Sequence, residues 1–239
     1  MSFSIDGKTA IVTGAANGIG LAIARHFAEQ GANVMFADMD EASLQKEVGG
    51  DSDQSNLQYF AGDLREKLTI ANLLSATLDS FDRVDILINA SRQMMASDLL
   101  DLNDNSVETL LSQNFMTSLR LSQLIATRMI KQSGSQSEGQ AGAIVNLSSI
   151  AARRAHPQLL GYSVSTAALD QMTRAMAVAL APHRIRVNAV AFGSVMSASL
   201  QDMLKDNSDF RSDIEKHTPM GRIAPASDVA ETVQYLASE

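Results

Sequence analysis

Thr13-Gly14-Ala15-Ala16-Asn17-Gly18-Ile19-Gly20 is the stretch on which the reading of this 239-residue chain turns. It follows a short apolar run, residues 9–12. It opens a segment in which Ile19, Ala22, Ile23 and Phe27 share one helical face until Gly31 stops it. A glycine-rich turn between a strand and a helix is suited to phosphate, because its N–H groups and the helix N-terminus favour an anion. Gly14 then permits the tight turn, Gly18 lets the backbone approach a pyrophosphate, and Gly20 lets helix and sheet pack closely. The spacing is TGxxxGxG rather than GxGxxG. Asp38 stands twenty residues after Gly18, at the end of the next apolar run. An acidic residue there accepts hydrogen bonds from adenosine ribose hydroxyls and repels a 2′-phosphate. No Arg or Lys occupies positions 15, 16 or 39 to offset it, so NAD is expected in preference to NADP.

Outward from this motif, apolar runs recur at 33–37, 57–61, 84–88, 143–147 and 184–190. They are rich in Val, Ile and Leu without polar alternation, as strands buried on both faces of a parallel sheet are. Helical patterns separate them, including long ones over 106–131 and 162–181, and Ser227 can cap a last helix bearing Val229, Val233 and Leu236. The alternation predicts an α/β fold. It is a Rossmann-like doubly wound parallel sheet of six to seven strands with helices on both faces, in one dinucleotide-binding and catalytic domain over 1–239. The polar segment 131–142 reads as an exposed loop.

Composition removes other classes. A net charge of −8 argues against a general nucleic-acid binder. The absence of cysteine excludes disulfide scaffolds, thiolate metal sites and cysteine nucleophiles, and fits a cytoplasmic setting. His26, His156, His183 and His217 show no metal-ligand spacing, so no metal is expected. No apolar run approaches the ~20 residues of a membrane span, and the N-terminus reads as the start of the folded domain rather than a signal peptide. Asp79, Asp82 and Asp85 read as solvated charges near a helix–strand turn.

Further motifs follow in order: Ala61-Gly62-Asp63-Leu64, Asn89-Ala90, Gln113-Asn114-Phe115, Asn146-Leu147-Ser148-Ser149, Tyr162 thirteen residues after Ser149, Arg186-Val187-Asn188-Ala189-Val190, and Pro219-Met220-Gly221-Arg222-Ile223. With them the chain resembles the short-chain dehydrogenase/reductase family in its compact form, along almost its whole length. The resemblance implies hydride exchange between a nicotinamide and a carbinol or carbonyl carbon of a small, partly apolar alcohol or ketone. Tyr162 would be the general acid/base, Ser149 would polarise the carbonyl, and Asn114 would anchor a relay water. Cofactor contacts would fall on Gly14, Asn17, Gly18, Ile19, Gly20, Asp38, Asp63 (adenine), Leu64, Asn89, Ala90, Gly193, Val195 and Ser197. The segment 198–217, with Leu200, Met203, Leu204 and Phe210, would form a substrate lid, and Met94 and Met95 would lie near the substrate wall. A homodimer or homotetramer is implied. The helices over 106–131 and 162–181 would be its face, although Leu110, Leu121, Leu124, Leu169, Met172 and Met176 serve an interface or core packing equally.

The largest departure is Thr166, four residues after Tyr162, where the family has a lysine that grips the nicotinamide ribose and favours the Tyr phenolate. Spacing of four keeps both side chains on one helix face, but the cation is gone. A cation within about 4–6 Å typically shifts an acid by about 1–3 pH units, so its loss costs roughly 10- to 1000-fold in alcohol oxidation. Arg153 and Arg154 are candidate substitutes, with a solvated basic pair as the simpler account. Ser91 replaces a glycine, and Phe192 replaces a proline before the retained Gly193. The chain also stops at Glu239, short of the family's usual last strand, which would leave the sixth strand a bare edge. These departures support a second expectation: a catalytically impaired nucleotide-binding or partner-binding protein on the same fold. A structural protein that binds no nucleotide is a third, against which the glycine loop and Asp38 speak.

Overall fold

The structure is a computed structural model that describes residues 3–49, 56–134, 138–205 and 208–239. Six parallel strands form one sheet: β1 (Thr9–Thr13), β2 (Asn33–Asp38), β3 (Leu57–Ala61), β4 (Ile86–Asn89), β5 (Gly142–Ser149) and β6 (Ile185–Phe192). Their order is β3-β2-β1-β4-β5-β6. The chain winds one way from β1 to β3 and the other way from β4 to β6. The reversal between β1 and β4 opens a crevice at the carboxyl ends of those strands, where open α/β sheets bind ligands.

Both faces of the sheet are covered. On one side Ala10, Val12, Val34 and Phe36 pack with Ile23 and Phe27 of α1 (Gly18–Glu29) and Val233 of α9 (Ala226–Ala237). On the other, Ile11, Met35, Leu87 and Ile144 meet Leu73 of α3 (Lys67–Phe81) and Leu121 and Ile125 of α5 (Thr117–Ser133). Successive strand residues therefore enter opposite cores, which is why the runs read as continuously apolar. α2 (Glu41–Val48) lies beside β2 and β3, and α6 (Leu160–Leu180) packs on β5 and β6. Two shorter helices, α7 (Ala198–Leu204) and α8 (Ser208–His217), follow β6.

Several expectations change. The helix over 106–131 is broken into α4 (Ser106–Leu110), a π-helical turn Leu111–Met116, and α5, with Asn114 inside the turn. Ser227 is not the cap of α9. That helix starts at Ala226, with Pro225 at the cap position holding an extended backbone (φ −70°, ψ 159°). Asp85 is not a solvated charge. It is 6% exposed, accepts the Thr9 N–H at 3.0 Å and pairs with Arg83.

A two-residue parallel pair, β7 (Val195–Met196) with β8 (Ala224–Pro225), was not foreseen. It ties the segment after β6 to the approach of α9. Leu110, Leu121, Leu169 and Met172 are buried within the chain and serve its packing, and the half-buried Leu124 and Met176 pack against the core that holds Leu121. Within the expected loop 131–142, residues 135–137 lie outside the described set. Its far end is held by Arg184 Nη1, which donates to the Gly139 carbonyl at 2.8 Å. Among the described residues no helix is long and apolar enough to cross a membrane.

Candidate active site

The crevice at the carboxyl ends of β1, β2 and β4 is a cleft of about 530 Å³. One end is lined by Gly14, Asn17, Gly18, Ile19, Gly20, Asp38, Asp63 and Leu64, and the other by Ala90, Ser91, Arg92, Gln93, Asn114, Leu147 and Ser197. The loop after β1 owes its shape to its glycines. Gly14 has φ +66°, and a Cβ there would lie 2.9 Å from the Ser91 backbone. A Cβ on Gly20 would lie 2.1 Å from the Gly14 carbonyl oxygen, so the start of α1 closes directly on the loop. Gly18 has φ +58° with open space where a Cβ would stand. Gly14 and Gly20 are thus required by packing. Gly18 leaves a cradle of bare backbone at the N-terminus of α1, which suits a pyrophosphate.

Thr13 joins this loop to the one after β4. Its hydroxyl accepts the N–H groups of Ala90 and Ser91, both at 3.0 Å. Asp38 at the end of β2 is fixed by backbone alone. Its carboxylate accepts the N–H groups of Ala16 at 3.2 Å, Met39 at 2.7 Å and Asp40 at 3.1 Å. Asp63 is turned onto Arg65, whose Nε lies 2.9 Å from both carboxylate oxygens. The Arg65 hydrogen bonds hold the Asp63 carboxyl below the usual carboxylate range. A contact from this carboxylate to adenine has to share it with Arg65.

At the other end the expected residues fare unequally. Asn114 does not face the cleft with a free amide. Its Oδ1 accepts the Gln93 N–H at 2.8 Å, and its Nδ2 donates to the Gln93 carbonyl at 2.9 Å and to Ser165 at 3.2 Å. It therefore fixes the loop after β4 against α6. Asn89 is buried beneath the sheet's edge, donating to Ser122 at 2.9 Å and Asn146 at 2.7 Å, while Asn146 donates to Thr173 at 2.8 Å. That chain couples β4, β5, α5 and α6, and only the neighbouring Ala90 reaches the cleft. Ser149 ends β5 in register with Phe192, and its hydroxyl accepts the Ala151 N–H at 3.2 Å. Ser197 lines the cleft and caps α7 through the Leu200 N–H at 3.3 Å. Val195 is buried in β7, and Gly193 packs toward Ile150.

Tyr162 is 4% exposed, in the first turn of α6. Thr166 is buried one turn on, with its hydroxyl donating to the carbonyls of Tyr162 at 2.8 Å and Ser163 at 3.1 Å. Neither candidate substitute cation is the phenol's partner: Arg153 pairs with Asp170 at 3.5 Å, and Arg154 is exposed. The cation at Tyr162 is Arg92, whose Nη1 donates to the phenolic oxygen at 3.1 Å. Its guanidinium also lies 4.6 Å from the centre of the Phe192 ring. Sequence reasoning passed over Arg92 and treated Phe192 as a separate oddity. The available signal was a cation three residues past Asn89, at the carboxyl edge of the sheet.

A doubly wound sheet with a glycine cradle, a backbone-fixed acidic residue on β2 and a Ser and Tyr on β5 and α6 is the architecture of a nicotinamide-dependent oxidoreductase. The chain belongs to the short-chain dehydrogenase/reductase family, whose dehydrogenases use nicotinamide cofactors: a family model described as Enoyl-(Acyl carrier protein) reductase matches residues 14–239. An uncharacterized oxidoreductase of Mycobacterium tuberculosis is 31% identical over 241 residues, covering 99% of this chain and 87% of that one. The L-fucose dehydrogenase of Mus musculus is 30% identical over 239 residues, covering 98% and 83%. Among solved structures, gox2181 superposes with a TM-score of 0.88 at 29% identity, covering 99% of this chain and 90% of that one. A short-chain type dehydrogenase/reductase from Mycobacterium marinum gives 0.85 at 26% identity, with the same coverage.

Proposed function

We propose that the chain is an NAD(H)-dependent oxidoreductase that interconverts an alcohol and a ketone by hydride transfer. One observation carries the cofactor choice: the Asp38 carboxylate, held by three backbone N–H groups at the mouth of the cleft. A carboxylate so fixed accepts from ribose hydroxyls and opposes a 2′-phosphate. The nearby Arg65 is engaged by Asp63 and does not offset it. The bare backbone at Gly18 fits the pyrophosphate, with Asn17 and Ile19 beside it, and Leu64 and Ala90 bound the cleft. The nicotinamide, when bound, supplies or takes up the hydride.

The chain's own residues handle the proton. In reduction the Tyr162 hydroxyl donates to the carbonyl oxygen, and in oxidation its phenolate takes the proton of the alcohol. The Ser149 hydroxyl polarises that oxygen. Asn114 acts through position, by holding residue 93 and Ser165 together. The substrate is a small molecule with an apolar part, a reading supported by exposed Met94 and Met203 on the segments flanking the site. A homodimer or homotetramer in the cytoplasm belongs to the same proposal. An interface on α6 would rest on exposed Leu160, Val164 and Val178, since Leu169 and Met172 are already buried.

A second reading, a catalytically impaired nucleotide-binding protein, draws on Thr166, whose hydroxyl is spent on its own helix. Calorimetric titration with NADH and NADPH, followed by turnover on a panel of apolar secondary alcohols and sugars including L-fucose, separates the two. Tight NADH binding, much weaker NADPH binding and turnover are expected. NADH binding without turnover on any substrate favours the impaired protein. Failure of both cofactors to bind overturns the dinucleotide reading.

A further inference from the structure

We infer that Arg92 is the positioning residue of the Tyr162 hydroxyl: its guanidinium holds the phenolic oxygen and stabilises the phenolate, the work for which no lysine is present on α6. The inference rests on the proposed acid/base role of Tyr162, but the contact beneath it does not. A guanidinium has N–H donors and no acceptor, so in the 3.1 Å bond the phenolic oxygen must accept. That leaves the phenol's own proton free to move, and the bond strengthens when it leaves, because donor and acceptor are then both charged. A neutral donor at the same place would hold the oxygen but favour its ionised form less, since it brings no opposite charge.

The surroundings keep the charge available. Among the described residues no carboxylate pairs with Arg92, whereas Arg65 and Arg153 are each paired with an aspartate. The guanidinium instead stacks at 4.6 Å on Phe192, whose ring face attracts a cation. Phe192 is in register with Ser149, so the ring that steadies Arg92 sits on the strand next to the other reacting hydroxyl. Asn114 fixes the backbone of Gln93, the residue after Arg92, by two hydrogen bonds. Arg92 also lines the cleft, so one side chain joins the cofactor side to the buried phenol.

The other charged groups on the elements around Tyr162 are engaged elsewhere or exposed. On α6, Asp170 meets Arg153 and Arg174 donates to Gln171. On α5, Arg120 and Arg128 donate to the carbonyls of Arg65 and Asp82. On β6, Arg186 donates to Gln140 and Ser238. Glu108 on α4 and Arg154 after β5 are exposed. Arg92 and Phe192 thus form a cation site at Tyr162, in a chain where Thr166 stands in place of the lysine.

The test reads phenolate directly by ultraviolet difference titration, which needs neither cofactor nor substrate. The chain has three tyrosines, and Tyr162→Phe identifies the step that belongs to Tyr162. Arg92 is exposed, so Arg92→Gln should leave the fold intact, which circular dichroism checks. At a mildly alkaline pH, Arg92→Gln is expected to lower the Tyr162 phenolate population about 10- to 100-fold, with Arg92→Lys keeping most of it. In turnover the loss should appear in kcat for oxidation and shrink as pH rises. An unmoved Tyr162 step in Arg92→Gln would overturn the inference. So would tighter NADH binding or faster turnover with that step unmoved, since the guanidinium would then be a plug in the cleft. A shifted phenolate step in a protein that neither binds NADH nor turns over would refute the proposed function and leave the Arg92–Tyr162 coupling standing.

Discussion

The two ends of the cleft are built to different rules. At the adenosine end, the glycine loop and Asp38 are fixed by backbone geometry: a positive φ at Gly14 and Gly18, a 2.1 Å approach at Gly20, and three N–H groups on one carboxylate. At the reacting end, contacts are made by side chains drawn from distant parts of the sequence: Arg92 on Tyr162 and Phe192, and Asn114 on Gln93 and Ser165. Backbone-made contacts demand particular residues at particular spacings. Side-chain contacts can be supplied from another strand end, so the reacting end can lose one member and draw a replacement from elsewhere. Substitutions at the two ends should therefore fail differently, in affinity at the first and in turnover at the second.

The sharpest separation comes from Tyr162→Phe. Removing the proton donor should cut turnover by about 10²- to 10⁴-fold, the usual worth of a positioned acid/base group. NADH affinity measured by calorimetry should stay within about twofold, because nothing at the adenosine end touches this residue. A matching loss of affinity would mean the two ends are not independent.

Next in size is a cycle of two substitutions. With Arg92 in place, Thr166→Lys should gain little, because the phenol already has its cation. In an Arg92→Gln background the same Thr166→Lys should restore about 10-fold or more of the lost kcat. The non-additivity itself is the expected signature of two groups serving one atom. A large gain from Thr166→Lys alone would show that Arg92 does not fill the role.

The same contrast governs what the sequence disclosed. Six apolar runs found all six strands of the main sheet, because burial on both faces leaves a continuous Val, Ile and Leu signal. The glycine loop and Asp38 were legible because local spacing determines them. Arg92 was not, because its meaning depends on Phe192, a hundred residues on, being brought to the adjoining strand end. Asn89 and Asn114 were recognised as motif residues, yet the structure engages their amides in buried or backbone contacts that no spacing rule predicts. The break at Leu111–Met116 left no trace either, since a single π-helical turn shifts the apolar pattern by one residue within a long periodic run.

At the adenosine end, Asp38→Asn removes the charge while keeping an acceptor. The ratio of NADPH to NADH affinity should rise about 10-fold, mostly through relief of repulsion toward a 2′-phosphate, with kcat on the preferred substrate little changed. An unchanged ratio would place cofactor choice elsewhere along the cleft. It would also remove the claim that backbone-fixed residues set affinity at this end.

The smallest expected effect concerns the scaffold of that end. Arg25 on α1, the helix that follows the glycine loop, and Glu47 on α2, the helix that follows Asp38, form a two-pronged ion pair. Hydrogen bonding to Arg25 holds the Glu47 carboxyl below its ordinary value, and Glu47 in turn raises Arg25. Because the folded Glu47 value is the depressed one, the pair's stabilisation is fully present above the unfolded carboxyl's value of about 4.3. It is lost as pH falls through the lower folded value. The Arg25 side chain of the pair is 55% exposed, so the contribution should stay below about 1 kcal/mol and shrink with salt. Glu47→Gln should lower Tm by a few degrees at most at neutral pH, and the difference from the parent should vanish at a pH below the depressed value of the folded carboxyl. Comparing the two proteins isolates this pair from Asp63, whose carboxyl is depressed in the same direction by Arg65. A Glu47→Gln effect of equal size at both pH values would assign the loss to helix packing rather than to charge. An accompanying fall in NADH affinity would show that the α1–α2 contact tensions the glycine loop, and that the adenosine end depends on side chains after all.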